Sequence, residues 1–145
     1  MRKLCWAVLV LVCVFSRNSE ASLAVHLKTI EVIEKQIEQL YAPYKFSATE
    51  PLSIEDLDLI FTDDDKKQLF SKRVTELRQA LKNAKGTRCE KVLSDSFLRL
   101  ALSQIDLYNL VELSSLRSDA RSSVEEAVGC DPNNVRARRL LQKLR

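Results

Sequence analysis

Glycine is almost missing from this chain. Two of 145 residues are glycine, Gly86 and Gly129, and three are proline, Pro43, Pro51 and Pro132. So few chain breakers exclude a loop-rich fold, and no strand pattern competes with the long stretches rich in Leu, Glu, Lys, Arg and Ala, whose side chains lose little rotamer freedom in a helix. Histidine is as scarce: His26 stands alone. No serine elbow, glycine-rich phosphate loop or H-E-x-x-H spacing accompanies it, so it reads as a surface or boundary residue and the chain as a non-enzyme. Carboxylates two apart, such as Asp56 and Asp58, point to different faces of a helix and make no acid–base dyad. No cofactor site is expected.

What is present begins with a leader. Met1-Arg2-Lys3 is basic, and Leu4 to Phe15 is an apolar run of signal-peptide length, too short to span a bilayer. Ser19-Glu20-Ala21 places small residues where a signal peptidase reads, so residues 1–21 are expected to be removed before Ser22, with a cut after Ser16 as the second choice. Residues 22–145 then form one secreted, extracellular domain of 124 residues. Its 20 basic and 19 acidic residues nearly cancel, which argues against nucleic-acid binding.

The rest predicts an all-α bundle of about six helical segments. Leu23, Leu27, Ile30, Ile33, Ile37 and Leu40 recur at helical intervals and define one apolar face. Tyr41 to Pro51 should be a loop. Ser53 with Asp56 resembles a capping box for a short helix, Ile54 to Phe61. Thr62 reads as the next N-cap, with Asp63, Asp64 and Asp65 in the first turn. The third helix carries Phe70, Val74, Leu77, Leu81 and Ala84 and ends near Gly86. Thr87-Arg88-Cys89-Glu90 is a Thr-x-x-Glu box opening the fourth.

From Phe97 to Leu113 the fourth helix holds more apolar residues than one face can take, and its polar side is thin, carried mainly by Arg99, Ser103 and Asp106. It is expected to be the central helix, wrapped by the others. Ser114 to Ser118 reads as a turn. The fifth helix is capped by Ser122 with Glu125, or begins nearer Ser118, and ends at Gly129. Asp131-Pro132 reads as N-cap and first position of a last helix with Val135, Leu140, Leu141 and Leu144.

Of four cysteines, Cys5 and Cys13 leave with the leader, while Cys89 and Cys130 remain. In a secreted chain their default is an intrachain disulfide, which would close a loop of about 40 residues and add about 3–4 kcal/mol in the chain-entropy model. With a straight fourth helix, Cys130 returns only about 15 residues and falls about 15 Å short of Cys89 at 1.5 Å per residue. Either the fourth helix breaks near Ser94-Asp95-Ser96, or the return is oblique. An intermolecular bridge is the alternative; metal ligation lacks a second close pair.

Charge is segregated. Between Phe46 and Asp65 lie Glu50, Glu55, Asp56, Asp58, Asp63, Asp64 and Asp65 with no base. The spacing lacks the glycine and terminal glutamate of an EF-hand loop, so no metal site is expected. The end is basic, with Arg136, Arg138, Arg139, Lys143 and Arg145, which suits a helix C-terminus and permits weak contact with polyanions. Arg136-Ala137-Arg138-Arg139 also fits a dibasic processing site. Glu50, Glu55, Asp56, Asp58, Arg136, Arg138 and Arg139 are therefore the candidate partner-binding residues, since segregated charge steers encounter with a complementary surface.

Ala120, Val124, Ala127, Pro132, Asn133-Asn134 and Ala137, with Leu107 before them, resemble the second helix and turn of a tetratricopeptide unit. Tyr108 departs where a small residue is expected, and one unit cannot build the surface of a repeat array. The whole chain, with its hydrophobic leader, the buried stretch Phe97 to Leu113 and the pair Cys89 and Cys130, resembles the mosquito salivary family that includes anophensin and albicin. That resemblance implies a small secreted salivary inhibitor that binds host plasma proteins of the contact system or the alternative complement pathway, affecting haemostasis or complement. The competing expectation is a carrier of a small apolar ligand such as a lipid, with the central helix lining a cavity.

Overall fold

Low glycine content and apolar residues at helical spacing leave the backbone one economical way to satisfy its hydrogen bonds. The computed structural model describes residues 2–44, 50–85 and 91–145, with side chains from residue 22 onward, and among these all regular secondary structure is helical. The helices are α1 (Arg2–Tyr41), α2 (Ile54–Ile60), α3 (Asp64–Lys85), α4 (Lys91–Val111), α5 (Ser114–Cys130) and α6 (Val135–Lys143), with a short 3-10 turn at Ala42–Tyr44. α1 runs unbroken across the expected boundary at Ser22. No helix among the described residues is long and apolar enough to cross a membrane. Gly86, Cys89 and the box from Thr87 to Glu90 lie outside the described residues.

α4 is the hub. It packs against α2, α3, α5 and α6, while α1 lies along α3. Phe97, Leu98, Leu100, Ala101, Leu102 and Leu107 are buried on it, facing Ile30, Ile33 and Ile37 of α1, the Phe70-to-Ala84 face of α3, and Val124 and Ala127 of α5 in one core. A helix apolar on several sides has to be covered on several sides, and here it is. Arg78 joins Asp119 through two bonds of 3.0 and 3.1 Å, and Lys85 joins Glu126, so α3 and α5 are also clamped at the surface. Such exposed pairs contribute up to about 1 kcal/mol each, well below the apolar burial they flank.

Several boundaries differ from expectation. Ser114 to Ser118 is the first turn of α5 rather than a loop, because Glu112 adopts φ 52° and Leu113 is extended, which turns the chain within two residues. Ser122 and Glu125 therefore sit inside the helix and cap nothing, and α5 ends at Cys130, one residue beyond Gly129. Thr62 is not the cap of α3: Asp63 Oδ1 accepts from Lys66 N at 2.7 Å, a carboxylate being the stronger acceptor there.

Asp131 is not the cap of the last helix. Its carboxylate accepts from Asn133 N in a tight turn, and Asn134 becomes the cap by accepting from Ala137 N at 3.1 Å. Val135 consequently faces solvent, and Ala137 is buried with Leu140. The Ser53 box is formed, with its hydroxyl accepting from Asp56 N and donating to Asp56 Oδ2.

α4 does not break at Ser94-Asp95-Ser96. It is continuous from Lys91, and Ser94 is buried with its hydroxyl donating to Ala127 O at 2.7 Å. Starting α5 at Ser114 is what lets its end return to the first turn of α4, where Lys91 and Asp131 are 3.9 Å apart. The supposed polar side of α4 is the other correction. Asp106 is 5% exposed, Gln104 1% and Ser103 8%, whereas Leu113, beyond the helix, is 56% exposed. Periodicity cannot say which polar residues a helix will bury when neighbours supply partners for them.

Candidate functional site

Beside α4 the helices leave two adjoining hollows that share Leu102 and Glu50. The first, of about 370 Å³, lies between α1, the Leu52 segment, α3 and α4, with Ile37, Tyr41, Leu52, Leu77 and Leu102 forming its apolar wall. The second, of about 490 Å³, lies between α4 and α6 over Leu98, Leu102 and Leu140, with Arg136, Arg139 and Lys143 along its edge.

Two polar arrangements shape the first hollow. In one, the Tyr41 hydroxyl donates to Asp106 Oδ2 at 3.1 Å and Leu52 N donates to Oδ1 at 3.0 Å. Burial pushes the Asp106 carboxyl up to about 6 against the lowering effect of these two bonds, and burial also raises the Tyr41 hydroxyl. Tyr41 is held by its ring as well, edge-on to Phe61 and Phe70 at 5.8 Å each, while those two stack at 4.7 Å. The end of α1, the segment before α2 and the middle of α4 are thereby tied to one carboxylate.

In the other arrangement, Arg99 on α4 reaches α1, with Nη1 at 3.3 Å from Glu34 Oε2 and 3.1 Å from Glu38 Oε1. Glu34 Oε1 is buried without a hydrogen-bond partner among the described residues. Burial raises the Glu34 carboxyl above its ordinary value, opposed by Ser96 and Arg99 and assisted by Glu38 and Asp95.

Of the residues expected from sequence to bind a partner, Glu50, Arg136 and Arg139 come together. Glu50 borders both hollows and stands 3.9 Å from Lys143, and Arg136 and Arg139 edge the second. Glu55 and Asp58 are exposed on α2 and line neither hollow, Asp56 is engaged with the Ser53 cap, and Arg138 is exposed elsewhere on α6. His26 is half-buried on α1 and borders neither hollow. Cys130 ends α5, and its expected partner Cys89 lies outside the described residues. Among the described residues no group of three His, Cys, Asp or Glu is arranged to hold a metal ion.

Glu34, Glu38, Tyr41, Arg99 and Asp106 do not stand out as site residues from sequence. Asp106 and Arg99 interrupt the apolar stretch of α4, and that interruption is the one signal the sequence carries for them. No family model, curated protein or solved structure matches the chain.

Proposed function

We propose that the chain is a secreted, non-enzymatic binding protein that inhibits host plasma proteins, of the contact system or the alternative complement pathway, by occupying their surface. The observation that carries this reading is the approach of Glu50, the first carboxylate of the acidic segment, to Lys143 of the basic last helix at the edge of the second hollow. A mixed-charge edge around an apolar floor suits a protein surface, because complementary charge speeds encounter and the floor supplies area to bury. A stapled body belongs to the same reading. Lys91 beside Asp131 supports pairing of Cys89 with Cys130, since each cysteine is within two residues of that contact.

The test is inhibition of plasma contact activation and of alternative-pathway lysis by residues 22–145. Arg136 and Arg139 changed together to Gln should slow association and weaken inhibition, and Glu55 and Asp58 changed to Lys should matter less. Full inhibition by the arginine variant, with native helix content, would show that this edge is not the binding face.

The second reading, a carrier of a small apolar ligand, is favoured by the 370 Å³ hollow against α4, a volume within the range of small-molecule sites. Ligand retained through purification and released on denaturation supports it.

A further inference from the structure

The first hollow has one charged end whose sign is unbalanced. Among its described lining residues Glu34, Glu38, Glu50 and Asp106 are carboxyl groups and Arg99 is the sole cation. Asp106 is fully engaged by Tyr41 and Leu52, and Glu50 lies near Lys143. Glu34 and Glu38 share a single guanidinium nitrogen of Arg99, Ser96 is the one further side chain that favours the ionised Glu34, and Glu34 Oε1 has no hydrogen-bond partner within bonding distance among the described residues. A carboxylate in that position is poorly solvated and incompletely paired, which is costly unless another donor arrives.

Arg99 itself shows what the position accepts. Its side chain is 48% exposed and enters from the edge, whereas that of Glu34 is 12% exposed, so the guanidinium can swing outward while the carboxylate cannot. Behind this pair lies the apolar wall of Ile37, Leu77 and Leu102.

We infer that this hollow is a binding site for a small organic cation with an apolar body, the protonated amine seated between Glu34 and Glu38 in place of Arg99 and the body against Ile37, Leu77 and Leu102. The inference rests on the carrier reading and narrows its ligand class. An amine supplies up to three donors to two carboxylates that now share one nitrogen, and it reaches Glu34 Oε1 once Arg99 has moved. An apolar anion such as a fatty acid gains the same wall but meets carboxylates at the charged end, so it is disfavoured.

The experiment is calorimetric titration of residues 22–145 with phenethylamine, with phenylpropanol as the neutral match and hydrocinnamate as the anionic one. The amine should bind about tenfold or more tighter than either match, the difference expected for one charge-assisted contact. Glu34→Gln should weaken the amine by about tenfold and leave phenylpropanol unchanged, and Arg99→Gln should tighten the amine by emptying its place. Glu38→Gln, at an exposed position, repeats the Glu34 test without touching the core; circular dichroism establishes that each variant is folded. If phenylpropanol binds as tightly as phenethylamine, or if both glutamine variants leave the amine unaffected, the cation assignment is overturned and the carrier reading stands. If none of the three compounds binds, both are overturned.

Discussion

The Tyr41 hydroxyl donates to the buried Asp106 across 3.1 Å, joining the last residue of α1 to α4 at the wall of the first hollow. Sixty-five positions separate the two in sequence. Ionising Asp106 carries a cost, because burial penalises the charged carboxylate by more than the bonds from Leu52 N and Tyr41 return. That cost is measurable.

Asp106 has a raised pKa in the folded chain, about 6 against an ordinary 3.8, so the folded state holds its proton more tightly than the unfolded state does. The contribution of this group to stability is therefore full below pH 4 and declines as pH rises from about 4 to about 6. The decline is about 3 kcal/mol at most, since a tenfold difference in proton affinity between the two states corresponds to about 1.4 kcal/mol. Glu34, also raised by burial, acts in the same direction. Urea midpoints measured across this interval should fall with rising pH in the parent and fall less in Asp106→Asn, whose amide oxygen can still accept from Leu52 N. Parallel profiles for the two proteins would mean that the carboxyl is not titrating in that window.

Leu107 is 3% exposed in the core of α4, and Leu113 stands beyond its end in solvent. Leu107→Ala should cost about 2–5 kcal/mol through lost burial and the cavity left behind. Leu113→Ala should change stability by less than about 0.5 kcal/mol. Chemical denaturation distinguishes them, and similar losses at the two sites would contradict the placement of the helix end.

Asn134 caps α6 and also donates to Ser94 Oγ at 2.9 Å and Asp95 Oδ1 at 3.1 Å, so it fastens the last helix to the start of α4. Asn134→Ala should cost about 1–2 kcal/mol. Leu140 is buried, which protects the bond after Arg139 from a dibasic-specific protease in the parent. Cleavage there should be slow in the parent and faster in Asn134→Ala, followed by mass spectrometry; rapid cleavage of the parent would show the last helix undocked.

The pairing of Cys89 with Cys130 is expected to leave residues 22–145 two hydrogens lighter than the reduced chain, as a monomer that reduction does not alter in size. Two free thiols, or a dimer that separates on reduction, would reject it. Intact-mass measurement with and without reductant decides.

Much of the architecture is legible along the chain. The faces carried by Ile30, Ile33 and Ile37, and by Phe70, Val74, Leu77, Leu81 and Ala84, are buried as their spacing implies, and the breadth of the apolar pattern on α4 marks it as the helix to be surrounded. Those features are local: a side chain's position around a helix follows from its position in the sequence. Caps are less legible. Asp63 and Asn134 each have a neighbour able to cap, Thr62 and Asp131, and which of them caps depends on how the chain arrives from the preceding element.

The site residues divide in the same way. Segregation of acidic and basic residues can be counted directly, but that Glu50 meets the basic helix while Glu55 and Asp58 do not is a matter of where α6 docks. Composition and periodicity by themselves determined an all-helical chain with α4 at its centre, because backbone propensity and apolar spacing are properties of neighbours in sequence. Only the tertiary structure decided that Asp106, Gln104 and Ser103 would be inside and that Glu34 would have one oxygen without a hydrogen-bond partner among the described residues. The burial of a polar group depends on partners brought from distant segments, such as Tyr41 and Leu52 for Asp106, and those partners are set by how the helices dock rather than by neighbours in sequence.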